Sequence, residues 1–533
     1  MKGRFFEAHE PEGRAASAAR QRVAPCIAQG VIRSSPVRSC VEKSLPTLGT
    51  ADKLGRMLFS LVSRRDDAPA IVRSNGEKLS YAQLFAKTSR LAEALVASGA
   101  GAGKVVAVAA KDPSEYVTLA LAAWQAKAIV LLLDARAGES LPLAGARRVG
   151  VTTLATGITE EGLPKTLETG VPARTFDESL GLILFTSGTS ALPKGVLLLS
   201  SAIAHNVHAI NAYLPIAEHS TTGIVLPLSY SYGLVGQALT TLAVGGTMVL
   251  LSDVMYPAKL VEAMVTYGVN GLSSVPPSLR LIARACIAAG PEKTPKLGYV
   301  ASAGGFQDAL TRELVEKAFP TALRFNQYGL TEASPRVTAL SHHEPAYARG
   351  SVGKGIQGVE VFAVDEEGNR LPPGEPGEIA LRGPSVMAGY MDDPEATAKV
   401  LSGGVLRSGD AGYVDAEGFV FVEGRKDGVV KCGGERVSVE EVAGYMRTAE
   451  GVRDAAVLAV PHDDLGHALW AFVEADESVI PALRALAREK LPPAKRPQKF
   501  IALAELPRTM NGKVALGELK KLVAAASAPA PPT

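Results

Sequence analysis

The sequence predicts an α/β chain: a large N-terminal domain of layered α/β sheets with a small β-rich subdomain, then a small α+β C-terminal domain. Three observations carry that prediction. From Ala51 onward, short apolar runs alternate with stretches of helical period, the signature of a layered parallel sheet. After about Gly350 the pattern becomes apolar–polar alternation between Gly- and Pro-rich turns, as a half-exposed β region requires. The 533 residues, at about 150 per domain, leave room for two to four domains.

Taken in order, Tyr81 to Ser98 reads as an amphipathic helix, Val105–Ala109 as a strand, Ser114–Ala126 as a helix and Ala128–Leu133 as a strand. The rhythm recurs with strands at Leu180–Phe185, Gly223–Pro227, Thr247–Leu251 and Leu297–Ser302. Val359–Val364, Gly377–Leu381 and Gly418–Glu423 form the β-rich part. Beyond Gly428 a helix Val439–Thr448, strands near Ala455–Val460 and Ala471–Glu474, and a helix Ile480–Lys490 suggest a separate small fold. The expected organisation is a disordered extension over 1–50, a large domain over 51–426, a small domain over 427–523 and an Ala/Pro-rich disordered tail over 524–533.

Composition excludes several classes. Lys+Arg 56 against Asp+Glu 54 gives a net charge of +2, which suits neither a nucleic-acid groove nor an anionic-membrane binder. Hydrophobic residues at 47% and charged residues at 21% fit a folded chain with large cores. Cys26, Cys40, Cys286 and Cys432 lack metal-ligand or CxxC spacing and read as reduced thiols of a cytoplasmic protein. The N-terminus carries charges where a secretory signal needs its apolar core. Ser220 to Ser252 holds no charged residue, but Pro227, Gly233, Gly236, Gln237, Gly245 and Gly246 divide it. It reads as a buried helix followed by a strand, so no integral membrane segment is expected.

The sharpest local signal is Thr186-Ser187-Gly188-Thr189-Ser190-Ala191-Leu192-Pro193-Lys194-Gly195, directly after the strand ending at Phe185. Such a loop offers backbone N–H groups, hydroxyls and one cation, which a polyphosphate needs; an ordinary Ser/Gly turn is the alternative. Its spacing is not that of a Walker A loop. Further along stand Tyr328-Gly329-Leu330-Thr331-Glu332, the stretch Gly377 to Tyr390 followed by Pro394 to Thr397, and Ser408-Gly409-Asp410. Gly424-Arg425-Lys426-Asp427 leads into Lys431-Cys432-Gly433-Gly434, and Pro507-Arg508-Thr509-Met510-Asn511-Gly512-Lys513 closes the series. Alone, Asp410 is a turn former, Glu332 a helix N-terminal acid and Lys513 a solvated charge.

In this order the six motifs resemble those of the adenylate-forming superfamily: acyl- and aryl-CoA synthetases, luciferases and peptide-synthetase adenylation domains. The likeness covers roughly Ala51 to Leu522. It implies ATP-dependent conversion of a carboxylic acid to an acyl-adenylate, then transfer to the thiol of coenzyme A. Transfer to the phosphopantetheine of a separate carrier protein is the alternative, and a non-catalytic nucleotide-binding relative a further one. Activation makes chemical sense, because a carboxylate is a poor acyl donor until AMP becomes its leaving group; cations, N–H donors and Mg²⁺ must already face the phosphates.

The resemblance also implies roles. Thr186, Ser187, Gly188, Thr189, Ser190 and Lys194 cradle the β- and γ-phosphates of ATP. Thr331 bonds the α-phosphate, Glu332 holds Mg²⁺, and Asp410 with Arg425 takes the ribose hydroxyls. Asn326, Tyr328, Gly329, Gly304 and Gly305 flank adenine and the acyl group, with Tyr230 and Ser302 in the acyl pocket. Lys513 bridges α-phosphate and carboxylate. Asp427 is the hinge of a mobile small domain whose rotation brings Lys431, Gly433 and Gly434 over the site for thioester formation.

The chain also departs from the pattern. Ala191 replaces a glycine, and Tyr230 stands in Pro227-Leu228-Ser229-Tyr230-Ser231-Tyr232-Gly233 where many members carry a histidine. None of those residues is acidic, which disfavours an α-amino acid substrate. The interval from Asp134 to Phe185 is short for the family, so a peripheral element is expected to be missing there. The identity of the acid and the oligomeric state are not legible.

Overall fold

Two sheets with parallel centres form the body of the large domain, each built where the sequence alternates apolar strands with helices. One, of nine strands, has the spatial order Lys354–Gly355, Arg336–Ser341, Leu323–Gly329, Tyr299–Ser302, Gly271–Ser274, Thr221–Ile224, Thr247–Leu250, Pro69–Val72, Lys78–Ser80. The other, of seven, runs Gly389–Tyr390, Lys194–Leu199, Leu180–Thr186, Ile129–Leu132, Val105–Val108, Thr153–Ile158, Pro164–Glu168. Central neighbours are parallel in both, while Arg336–Ser341 returns antiparallel to Leu323–Gly329 and Lys194–Leu199 antiparallel to Leu180–Thr186. The structure, a computed structural model, describes residues 66–186, 194–251, 256–432, 435–462, 465–508 and 514–527.

Helices Tyr81–Ala97 and Pro113–Gln125 join the two sheets through one core that includes Ile71 and Met248 from one sheet and Val130 and Leu182 from the other. The first begins with a capping box between Ser80 and Gln83, the second with Asp112 accepting from the Ser114 and Glu115 amides. Trp124 fixes the packing by donating its indole N–H to the Gly181 carbonyl at 2.7 Å. The uncharged stretch after Ser220 becomes the strand Thr221–Ile224, a helix with a π segment at Leu234–Leu239, and the strand Thr247–Leu250. No helix among the described residues is long and apolar enough to cross a membrane. The interval from Asp134 to Phe185 holds the helix Ser140–Val149 and the strands Thr153–Ile158 and Pro164–Glu168.

The third sheet is antiparallel: Glu360–Val364, Gly377–Arg382, Val405–Val414 and Leu401–Ser402, with Val420–Arg425 paired to Val405–Val414. A three-residue turn, Lys426–Gly428, leads out of it into the hairpin Val429–Cys432 and Glu435–Ser438. Cys432, Val437, Val442, Met446, Val457 and Leu469 then form a core of their own with the sheet Asp454–His462, Gly466–Glu474, Lys499–Leu503. The last helix runs Leu516–Ser527 and so takes in residues 524–527 of the expected tail; alanines 524–526 are strong helix formers and Pro529 stands just beyond in the sequence.

Charged groups lie buried where the small domain meets the large one. Arg280 and Asp308 come from the large domain, Arg447, Asp454 and Arg508 from the small one. Asp308 Oδ2 accepts from Arg280 at 3.2 Å and from Arg447 at 3.3 Å, and Asp454 Oδ1 accepts from Arg447 at 3.0 Å. Asp454 Oδ2 takes Arg508 at 3.1 Å, and Glu440 takes Arg447 at 2.8 Å. Gly444 leaves room for the Asp308 side chain, since a Cβ there would stand 3.3 Å from it.

Candidate active site

The candidate site gathers at the carboxyl ends of the strands Leu323–Gly329 and Leu180–Thr186, where open α/β sheets present their loops to ligands. Leu323–Gly329 delivers Tyr328 and then the turn Thr331–Ala333 with Glu332. The seven-stranded sheet delivers Thr186 and Lys194, opposite one another in the hairpin register. The antiparallel sheet delivers Asp410 and Arg425, which are also register partners.

These groups touch. Tyr328 donates its hydroxyl to Asp410 Oδ2, and Arg425 Nη1 reaches Asp410 Oδ1 at 3.3 Å and the Ser408 carbonyl at 3.0 Å. Tyr390 donates to Glu332 Oε1 at 2.9 Å while the Lys194 ammonium stands 4.7 Å from the Tyr390 ring centroid, within cation–π range. Asp410 is 12% exposed and Arg425 65%, so the cation opens to the cleft while the carboxylate is held inside it.

Burial sets the electrostatics. It pushes the Asp410 carboxyl above its ordinary value, against the pull of Tyr328 and Arg425. Burial, reinforced by the carboxylates they face, raises both Tyr328 and Tyr390, so each phenol keeps its proton and remains a donor. Gly409 makes the turn with φ +74°; a Cβ there would stand 2.8 Å from the Arg425 guanidinium. Glu378 anchors the same turn, accepting from the Gly409 amide at 3.0 Å and from Arg407 at 2.7 Å.

Several expected positions sit nearby. Gly304 takes φ +76° next to Tyr232, and Ser302 is buried with its hydroxyl lacking a partner. Tyr230 leads into the helix Ser231–Gly233, and Gly305 lies beside Pro276. The carboxamide of Asn326 is already engaged, donating to the Ser351 carbonyl at 2.8 Å. Ser187, Gly188, Thr189, Ser190, Gly433, Gly434 and Lys513 lie outside the described residues, as do the side chains of Asp427 and Lys431. Sequence reasoning missed Tyr390 and Glu378, although both stand within a motif it quoted and either could have been flagged as a polar residue between apolar neighbours.

The family model for the AMP-binding enzyme matches residues 59–142 and 154–391, and the model for the AMP-binding enzyme C-terminal domain matches 441–513. The chain belongs to the AMP-binding enzyme family. This AMP-binding enzyme is 30% identical over 473 residues to a feruloyl-CoA synthase of Amycolatopsis sp, covering 84% of this chain and 95% of that protein. It is 26% identical over 501 residues to an oxalate–CoA ligase of Arabidopsis thaliana, covering 87% and 97%. Among solved structures, ATP-bound MatB from Rhodopseudomonas palustris superposes with a TM-score of 0.73 at 26% identity, covering 89% of this chain and 99% of that one. Among the described residues of the AMP-binding enzyme, no cluster of three His, Cys, Asp or Glu residues could cage a metal alone. Glu332 suits Mg²⁺ instead, since that ion is commonly held by one or two carboxylates together with substrate phosphates.

Proposed function

We propose that the protein is an AMP-forming acid–thiol ligase. A carboxylate oxygen attacks the α-phosphorus of ATP, pyrophosphate leaves, and the thiol of coenzyme A then displaces AMP to give an acyl-CoA. The observation that supports this best is the convergence of Lys194, Tyr328, Glu332, Asp410 and Arg425 on one cleft from three different sheets.

In this reading Asp410, presented by Tyr328 and Arg425, accepts the two ribose hydroxyls. Thr331 donates to the α-phosphate. Lys194 and the loop from Thr186 through Ser190 take the terminal phosphates. Mg²⁺, when bound, neutralises phosphate charge beside Glu332. Lys513 enters with its loop to meet charge developing between carboxylate and α-phosphate. Asp427 is the hinge for the second step, which brings Lys431, Gly433 and Gly434 over the cleft. The relatives' names, feruloyl-CoA synthase and oxalate–CoA ligase, support a carboxylic acid and CoA as co-substrates.

The test is acid-dependent pyrophosphate release by the full chain with ATP and Mg²⁺, with thioester measured on CoA and on a holo-carrier protein. Acyl-CoA formation is expected. Thioester on the carrier protein alone would move the acceptor, and no acid-dependent release from a broad acid panel would overturn the reading. Lys513→Ala is expected to abolish acid-dependent ATP–pyrophosphate exchange; unchanged exchange would remove Lys513 from adenylation.

A further inference from the structure

Arg336 opens the strand Arg336–Ser341, four residues after Glu332, and is 2% exposed. Its backbone is clamped by Asn206, whose Oδ1 accepts from the Arg336 amide at 3.1 Å and whose Nδ2 donates to the Arg336 carbonyl at 2.8 Å. The side chain has no carboxylate anchor; the hydroxyls of Tyr213 and Tyr232 are its polar neighbours. Among the described residues it makes no ion pair, and its Nε is buried without a hydrogen-bond partner. The guanidinium stands 4.8 Å from the centroid of the Tyr232 ring. Arginine keeps its proton even when buried, so this is a desolvated cation lacking a counter-charge.

The surroundings are polar and equally unpartnered. The hydroxyls of Tyr232 and Tyr299 and the Gln237 carbonyl oxygen are buried with no hydrogen bond. Ser273, Gln237 and Arg336 approach the Tyr232 hydroxyl without closing one. Gln237 belongs to the π segment Leu234–Leu239 and donates to the Ser273 carbonyl, which leaves its oxygen free. π segments are frequent at functional sites. Burial holds Tyr232 above its ordinary pKa and Tyr299 at about 12, so both phenols are donors.

Tyr232 ties this pocket to the cleft. One edge of its ring lies 4.0 Å from where a Cβ on Gly304 would stand, and its face meets Arg336. The guanidinium therefore sits one aromatic ring behind the backbone that flanks the reacting carboxylate. A fixed cation with phenol donors and no carboxylate complements an anion, and removing either partner of a buried charge pair is costly.

We propose that Arg336 is a specificity-determining residue that binds a second carboxylate on the acid, so that the ligase acts on dicarboxylic acids. This rests on the ligase reading above and names its substrate class. The experiment is kcat/KM for pyrophosphate release, with ATP, Mg²⁺ and CoA, over matched pairs of equal carbon number: hexanoate with adipate, 4-methylbenzoate with terephthalate, propionate with malonate. At least one diacid is expected to exceed its monoacid partner tenfold or more. Arg336→Met is expected to invert that preference, mainly through a higher KM for the diacid, and Arg336→Lys to restore part of it. If the Met variant fails to fold, the wild-type panel and the Lys variant decide. Monoacids preferred throughout, or a ratio that Arg336→Met leaves unmoved, would overturn the assignment while leaving the ligase reading intact. Absence of release with every acid would overturn the ligase reading itself.

Discussion

Asp410 carries opposed demands, because the proposed ribose contact needs a carboxylate and the folded protein resists burying one. Its folded pKa lies above the unfolded value of about 3.9, so the folded state binds the proton more tightly. Stability contributed by this group is therefore present below the unfolded pKa and lost as pH rises through the raised one. Asp410→Asn is expected to melt no lower than wild type at pH 7, with any gain gone below about pH 4, while ATP-dependent activity falls at least about a hundredfold. A melting loss at pH 7 that disappears in acid would contradict this. Tyr390→Phe removes the hydroxyl that donates to the Glu332 carboxylate, a bond worth about 1.5 kcal/mol of stability, and is expected to lower both the melting temperature and kcat/KM. The place of Asp410 among the candidate site residues was legible because Ser408-Gly409-Asp410 is a compact local signal. The Tyr390–Glu332 bond was not, since it joins residues 58 apart and no periodicity records which side chains meet across sheets.

Among the elements, the turn at Gly409 shows how backbone geometry supports the site. A side chain there would pay for a left-handed φ by about 1–2 kcal/mol and would push the Arg425 guanidinium aside. Gly409→Ala is expected to raise KM for ATP more than it lowers kcat, read from initial rates over an ATP titration; an equal loss in both would mean that the turn serves the chemical step. Strand positions were well anticipated where apolar runs are bounded by turns, as at Leu180–Thr186 and Tyr299–Ser302. The π segment Leu234–Leu239 was not, because its residues look like any buried helix and its widened turn depends on what packs around it. Arg336 escaped notice for a related reason: in sequence it is one arginine after a proline, and only the fold removes its counter-charge.

Across the whole molecule, the small domain meets the large one through Arg280, Asp308, Arg447 and Asp454. Burial works against the Asp454 charge, but Arg447 and Arg280 win and hold its pKa below the ordinary carboxylate range. Its contribution is therefore present above about pH 4 and lost as pH falls through the lowered value. Asp308→Ala takes one carboxylate from both Arg280 and Arg447, leaving them to share Asp454, and losing one partner of a buried pair costs about 3–5 kcal/mol. Faster hydrogen exchange is expected in the helices Val439–Met446 and Ala309–Ala318, with the sheet Ile129–Leu132 and Leu180–Thr186 unaffected. Uniform acceleration would mean that the cluster stabilises the whole fold rather than this contact. None of this was visible in the sequence, where the four residues are scattered among ordinary surface-type charges.

Water is a good solvent for ions and a poor one for hydrocarbon. A seam stitched by guanidinium and carboxylate groups can be parted by letting water hydrate each ion, whereas an oily seam of equal area would expose surface that water shuns. Parting it should leave only a small heat-capacity signature, since polar exposure offsets apolar exposure.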